Sequence, residues 1–244
     1  MKIHFITNTY VMLACVLGAT LTLTVGSAQA AERKFSISSF DDIRIIGSVN
    51  VAITTNRGVS ASAKAADREI LDRVLLRKSG SQLVVSIKPK TSDNGRFSAD
   101  DPVTVTLATH VVKSITHSGS GAVILDQLGG RDARAQLRGF GVLTIEDVDS
   151  DTLDIAMTGG GQIIIAGKAK KGRIELLGSS TLDGSGLTLD ALHLLHRGPA
   201  SSHVFVEKEA EITNSGTGKI QIDGHPNCSV RTSGAAQIIC DPSR

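Results

Sequence analysis

The chain has 244 residues, with 26 Lys and Arg against 24 Asp and Glu, a formal net charge of +2 and 3% aromatic residues. A charge this close to balance excludes the basic surface of a typical nucleic-acid-binding protein and gives no strong attraction to anionic membranes. The shortage of aromatic rings leaves almost no platforms on which sugars or bases could stack. It also means that the core has to be built from Val, Ile, Leu and Ala.

Residues 1–30 have the pattern of a secretory signal peptide. Lys2 supplies a positive charge, residues 10–25 are mostly apolar, and the sequence AQA that ends at residue 30 is a site that signal peptidase accepts. We expect cleavage before Ala31, which predicts an exported protein, periplasmic or on the cell surface, with no transmembrane span after cleavage. The alternative is a membrane anchor, but threonines dilute the apolar stretch and the cleavage site follows it directly.

Residues 31–112 predict a strand-rich N-terminal part. The stretch "DDIRIIGSVNVAITT" alternates apolar and polar residues on both sides of Gly47, as two strands around a tight turn do. Residues 83–87 predict another strand, and the polar residues 90–102 predict a loop. We expect this part to continue or cap the repeat that follows it, although the order of its strands does not follow from the sequence.

Residues 113–244 contain an internal repeat whose units each carry a small-residue turn. Successive turns are 20, 20, 19, 20, 18 and 18 residues apart. In every unit the residue four before the first glycine is apolar and the residue two after it is small, and on both sides apolar and polar residues alternate. The first glycines of the seven turns are Gly119, Gly139, Gly159, Gly178, Gly198, Gly216 and Gly234.

A unit of this length cannot bury its apolar face alone, but it can do so against identical neighbours stacked above and below. Stacked units are about 4.8 Å apart, so a side chain at a stacked corner would collide with the next corner. The repeat therefore predicts an all-β fold, a right-handed parallel β-helix of about seven coils. In the fifth coil, "LHLLHRGPASSHVFVE", Pro199 and Ser202 break the pattern and predict a local distortion.

Two cysteines remain after signal cleavage, Cys228 and Cys240, six residues before and six after Gly234. Both have core-facing parity in the final coil, and exported cysteine pairs are commonly oxidised. We expect a disulfide that constrains the end of the stack and contributes about 3 kcal/mol. The alternative is a pair of free buried thiols.

None of the motifs that could indicate a catalytic or ligand-binding site has the residues or the spacing that such a site requires. A phosphate-binding loop has four residues between its first glycine and the Gly-Lys pair, and Ser or Thr follows the lysine. In "TGGGQIIIAGK" five residues separate Gly161 from Gly167 and Ala169 follows Lys168, so this stretch is not such a loop. No calcium-binding repeat is present, and the histidines His193, His196 and His203 are expected to face solvent. The acids just after the second strand of each coil are typical solvated turn residues, namely Asp126, Glu146, Asp147, Asp223 and Asp241. The sequence thus predicts no catalytic, metal-binding or cofactor-binding residue.

The chain resembles the bacterial family called the putative auto-transporter adhesin, head GIN domain. The resemblance rests on the opening "SFDDIRIIGSVNVAIT", on the turn and strand "SGSQLVVSI", and on units such as "ITHSGSGAVIL" and "ITNSGTGKIQI". It spans residues 40–241, although several units have lost the Ser-Gly-Ser-Gly pattern. The resemblance implies an exported right-handed β-helix with a name that suggests adhesion, and it implies no catalytic residues.

Together these observations predict an exported, non-enzymatic β-solenoid that acts as an adhesin-like or cell-envelope binding or structural module. Its partner would be a cell-envelope glycan or protein, and not a nucleic acid. The alternative is a carbohydrate-active β-helix enzyme, which would need carboxylates that converge on one outer face. Unpaired strands at the ends of a solenoid also favour association, so a homo-oligomer is a further alternative.

Overall fold

The computed structural model describes residues 31–88 and 103–240. The signal-peptide prediction for residues 1–30 and the loop prediction for residues 90–102 lie outside these residues, as does Asp241. In chain order the strands are β1 (Ala31–Phe35), β2 (Asp42–Ile46), β3 (Asn50–Thr54), β4 (Ser60–Ala65), β5 (Val74–Ser79), β6 (Gln82–Ile87), β7 (Thr104–Ala108), β8 (Ser114–Gly119), β9 (Ala122–Gly139), β10 (Val142–Gly159), β11 (Gln162–Gly178), β12 (Thr181–Arg197), β13 (Ser201–Asn214), β14 (Lys219–Asp223), β15 (Asn227–Thr232) and β16 (Gln237–Cys240), and the helix is α1 (Arg68–Arg73).

The repeat forms a parallel stack, which confirms the predicted all-β solenoid. Strands β8 to β13 pair in parallel with their sequence neighbours, and the pairing places Gly139 beside Gly119 and beside Gly159. The seven corners delimit about six turns. Strands β9, β10 and β11 each make one turn that ends at a corner glycine, and the next strand begins three residues later. Strands β12 and β13 end just before their corners, and the last turn consists of the two short strands β14 and β15.

The corners need glycine because they stack at backbone contact distance. Gly159 has φ +114°, and a Cβ atom added to it would lie 2.5 Å from the carbonyl oxygen of Gly139. Gly216 and Gly234 lack a positive φ, but an added Cβ would lie 2.1 Å from the carbonyl oxygen of the preceding corner. A side chain at any of these corners would therefore push two coils apart.

The core consists of columns of aliphatic side chains that run along the stack. The column four residues before each corner glycine includes Ile115, Ala135 and Ile155, all of which are buried. In the fifth coil, where the sequence predicts a distortion around Pro199 and Ser202, residues 201–204 pair in regular register with residues 181–184. The register between β12 and β13 shifts only beyond them, between Gly184 and Thr188, and similar shifts occur between other coils. Ser202 of the fifth coil occupies a core position and is buried.

The N-terminal part extends the same sheet beyond the repeat. Strands β2 and β3 lie in parallel against β8 and β9 and form one more layer around Gly47. Strands β6 and β7 pair in parallel with β2 and β3 on the far side, although they come later in the chain. Antiparallel strands complete this end, with β5 beside β6, β4 beside β7 and β1 beside β4.

The helix α1 packs over this end of the stack. Asp67 caps its N-terminus by accepting a hydrogen bond of 2.9 Å from the backbone N–H of Ile70, and Ile70 and Leu71 are buried. At six residues, α1 covers the strand ends without forming a separate layer. No helix within residues 31–88 or 103–240 is long and apolar enough to cross a membrane.

Candidate binding surfaces of the solenoid

The disulfide lies at the C-terminal end of the stack. Cys228 on β15 and Cys240 on β16 are bonded to each other, with their Cα atoms 6.6 Å apart. These two strands form the last described layer, and their core-facing side chains are only partly covered. Val230, for example, is 43% exposed although its column is buried elsewhere. The bond joins the two strands of a layer that, within residues 31–88 and 103–240, has a neighbouring layer on one side alone.

The closest approach to a catalytic constellation lies on the outward face of β12, β13 and β14. Nε2 of His203 lies 2.6 Å from Oδ2 of Asp223, one coil further along. In the coil before, Asp183 accepts hydrogen bonds from the hydroxyl of Ser185 at 2.8 Å and from its backbone N–H at 3.2 Å. Asp183, Ser185, His203 and Lys219 line a shallow depression of about 330 Å³, which Asp223 adjoins through its contact with His203.

The carboxyl groups of this depression are held in their ionised form. The hydrogen bond with His203 lowers the pKa of Asp223, and the hydrogen bond from the Ser185 hydroxyl lowers the pKa of Asp183. Asp41 and Asp151, elsewhere on the surface, have lowered pKa values because of hydrogen bonds from Lys113 and Lys170. Every resolved pKa shift of a carboxyl group in the described residues is thus downward.

A groove of about 660 Å³ is lined by most of a ladder of alternating charges, all but its last residue. The ladder runs along the stack through one residue from each of five successive coils. Nζ of Lys170 lies 2.6 Å from a carboxylate oxygen of Asp151, and Nζ of Lys208 lies 2.8 Å from one of Asp190. These two ion pairs neutralise four of the five charges of the ladder, all but that of Arg131. In order the ladder is Arg131, Asp151, Lys170, Asp190 and Lys208.

The prediction that all three candidate histidines face solvent is wrong for His196. Its side chain is fully buried, with Nδ1 2.8 Å from Oδ1 of Asn214 and Nε2 3.0 Å from the carbonyl oxygen of Ala200. His193 is half exposed and lies 3.9 Å from Glu211. His203 is partly buried in the depression described above.

A second buried histidine, His117, was not identified as a candidate from the sequence. It makes the same kind of contact with its corner as His196 does. His117 stands two residues before Gly119, as His196 stands two before Gly198. Nε2 of His117 lies 2.9 Å from the carbonyl oxygen of Gly121, inside the corner. In both coils a histidine therefore bonds to a corner carbonyl four residues ahead. The shared offset from a corner glycine is the sequence signal that could have revealed this pair.

The described residues contain no group of three or more His, Cys, Asp or Glu side chains placed to hold a metal ion. Two of the acids that follow the second strand of a coil serve as hydrogen-bond partners between coils. Both carboxylate oxygens of Asp126 lie 2.9 Å from the backbone nitrogen of Thr55, and Asp147 accepts a bond from Gln127 at 3.0 Å. Glu146 and Asp147 are exposed, as expected of solvated residues, whereas Asp126 and Asp223 are partly buried.

Comparison with protein families gives one match, to the family described as "Putative auto-transporter adhesin, head GIN domain", over residues 39–226. No match is found among curated proteins.

Solved structures share the fold. A putative adhesin from Bacteroides fragilis has a TM-score of 0.76 at 18% identity, covering 87% of this chain and 97% of that one. A putative adhesin from Parabacteroides distasonis has a TM-score of 0.66 at 16% identity, covering 88% and 98%. A putative lipid binding protein from the same organism has a TM-score of 0.62 at 15% identity, also covering 88% and 98%. At these identities the likeness shows the solenoid fold alone.

Proposed function

Because the chain belongs to the family of the putative auto-transporter adhesin, head GIN domain, we propose that it is an exported, non-catalytic β-solenoid that binds or organises a component of the cell envelope. The partner is a surface glycan or protein that contacts the outward faces of the stacked strands. The role of the solenoid is to present to this partner a rigid, regular surface on which side chains recur at the spacing of the coils.

The state of the surface carboxyl groups carries this proposal. Hydrolysis of a glycosidic bond requires a carboxylic acid that donates a proton, and enzymes obtain one by raising the pKa of a buried carboxyl group. In the described residues the resolved shifts of Asp41, Asp151, Asp183 and Asp223 are all downward. Asp183 and Asp223 are also hydrogen-bonded to Ser185 and His203, and an ionised carboxylate held in this way favours binding over donation of a proton.

The Cys228–Cys240 disulfide supports export, because disulfides persist in oxidising compartments such as the periplasm and the cell surface. The signal-peptide pattern of residues 1–30 points the same way. Fractionation of the native cells tests this part of the proposal. We expect the processed protein, beginning at Ala31, in the periplasmic or surface fraction, and unprocessed protein in the cytoplasm would contradict it.

Binding and catalysis are separated by screening the processed protein on a glycan array and, in parallel, on soluble polysaccharides with a reducing-end assay. We expect retention on envelope glycans or on envelope proteins without any release of reducing ends. Turnover of any polysaccharide would overturn the proposal in favour of a carbohydrate-active β-helix. In that event, loss of turnover in the variant Asp183→Asn or Asp223→Asn would identify the depression on β12–β14 as the active site.

A further inference from the structure

A small hollow on the outward face of β2, β8 and β9 collects three arginines. Its volume is about 190 Å³, and its rim carries Arg44 from β2 and Arg134 and Arg138 from β9. Thr116 and Gln136 line it between the arginines. The hollow lies near the capped end of the solenoid, far along the stack from the disulfide.

Strand register fixes the arrangement of the three guanidinium groups. Arg44 pairs with Thr116, and Thr116 pairs with Gln136, so these three residues form one column across three layers. At about 4.8 Å per layer, Arg44 lies roughly 10 Å from Gln136. Arg134 and Arg138 stand two residues on either side of Gln136 on the same strand and share its outward face. Their long side chains can therefore approach a group above Thr116 from three directions.

The hollow holds an excess of positive charge that its own carboxylates do not neutralise. Among the described residues, neither Arg44 nor Arg138 forms an ion pair. Arg134 forms an ion pair with Asp154 at 3.7 Å. The one acid in the lining, Asp42, accepts a hydrogen bond of 2.9 Å from Gln82.

This balance differs from that at several other cations of the surface. On the ladder of alternating charges, Lys170 and Lys208 are each paired with an aspartate of the neighbouring coil, and Arg231 is paired with Glu211. Arg44 and Arg138, which form no ion pair among the described residues, thus give the hollow positive charge that is available to a ligand, while Arg134 is shared with Asp154.

We propose that this hollow binds a phosphate group, either free or carried by a glycan or a lipid headgroup. Planar guanidinium groups bind phosphate oxygens through paired N–H donors, and the hydroxyl of Thr116 and the amide of Gln136 add neutral donors between them. Inorganic phosphate or a phosphate monoester presents at least three terminal oxygens and up to two charges to the three arginines, whereas a carboxylate presents two oxygens and one charge. The site goes beyond the proposed envelope function and does not depend on it.

The test is a titration of the processed protein with inorganic phosphate at low ionic strength, followed by calorimetry or by amide chemical shifts. The double variant Arg44→Gln/Arg138→Gln removes the two unpaired arginines. Because both side chains are exposed, we expect the fold to be retained, which circular dichroism verifies. The matched control is Arg197→Gln, since Arg197 lies in the same outward column as Arg138, three coils further along.

We expect saturable phosphate binding that is weakened about tenfold or more in the double variant and unchanged in Arg197→Gln, with shift changes at β8 and β9. Acetate should compete poorly. An absence of saturable binding, or equal weakening in the control variant, would overturn the proposal.

Two further arms distinguish the source of the phosphate. A sugar phosphate such as glucose 1-phosphate that binds more tightly than inorganic phosphate supports a glycan source. Sedimentation with vesicles that contain phosphatidic acid, but not with pure phosphatidylcholine vesicles, supports a lipid source, provided that the double variant abolishes it. Vesicle binding that the double variant leaves intact would count against the site.

Discussion

The two ends of the solenoid differ in how the exposed end of the core is covered or stabilised. At the N-terminal end, β6 and β7 add a parallel layer beyond β2 and β3, and antiparallel strands with α1 cover the core. At the C-terminal end, β15 and β16 form the last described layer, and Val230 in a core column is 43% exposed. One end is closed by additional structure, and the other is held by a covalent bond.

This difference predicts a gradient of stability along the stack. In repeat proteins each unit is stabilised mainly by contacts with its two neighbours, so a unit with one neighbour is less stable. A disulfide restricts the unfolded last coil but does not cover its core side chains. We therefore expect the middle coils to be the most stable and the last coil to open first.

The largest effect is expected from a side chain at a central corner. Gly159→Val would place a Cβ atom 2.5 Å from the carbonyl oxygen of Gly139 at a residue with φ +114°. We expect a loss of about 3–5 kcal/mol in the free energy of unfolding, or failure to fold, measured by urea denaturation. Gly234→Val at the open end should cost less than half as much, because no further described coil has to move. Equal losses at the two corners would contradict the gradient. Gly58→Ala, at an open position without a positive φ, is the neutral control.

The second prediction compares two isoleucines of one core column, one in the middle of the stack and one in the last coil. Ile163 and Ile238 both stand four residues after a corner glycine, but Ile163 is fully buried and Ile238 only partly. Ile163→Ala should cost about 2–5 kcal/mol. Ile238→Ala should cost half as much or less, since it leaves a smaller cavity. A larger loss for Ile238→Ala would show that the last coil is covered by something beyond the described residues, such as a second copy of the chain.

Removal of the disulfide should act locally. The double variant Cys228→Ser/Cys240→Ser should lower the free energy of opening of the last coil by about 2–3 kcal/mol, with little change in the middle of the stack. Residue-resolved hydrogen exchange measures both. Reduced protection that extends to β10 would instead mean that the bond stabilises the solenoid as a whole.

The smallest effect concerns pH. Burial lowers the pKa of His117 below 6.5, so the folded state favours the neutral ring while the unfolded chain binds a proton more readily. The contribution of the neutral His117 ring to the free energy of unfolding is fully present above pH 6.5 and is lost as the pH falls below that value. His117→Leu, which introduces the residue found at this position in the next coil, Leu137, should reduce the loss of stability in mild acid. Thermal melts between pH 7 and pH 5 test this, with exposed His110→Gln as the control, and an unchanged pH dependence in His117→Leu would contradict it.

The repeat could be predicted from the sequence because its requirements are local. A corner glycine such as Gly159 is needed by its own backbone and by the corner beside it, and alternation then fixes which side chains face inward. The order of the N-terminal strands could not be predicted, since β6 and β7 lie outside β2 and β3 although they follow them in the chain. Such pairing depends on contacts distant in sequence.

The surface was harder to predict than the core. His196 has the parity of a core residue, but its polarity favoured a solvent position, and only the contacts with Asn214 and Ala200 explain its burial. The arginine hollow was hidden because a net charge of +2 describes the whole chain and not its distribution. Arg44 and Arg138 are 94 residues apart in sequence and meet only because β2 and β8 pair in register.

Residue-resolved hydrogen exchange of the unmodified protein tests the account most directly, since it measures the stability of every coil in one experiment. We expect the slowest exchange in β9 to β12, intermediate protection in β2, β3, β6 and β7 under their antiparallel cap, and the fastest exchange in β15 and β16. Uniform protection from β2 to β16, or a last coil as protected as the middle, would contradict a solenoid that is closed at one end and open at the other.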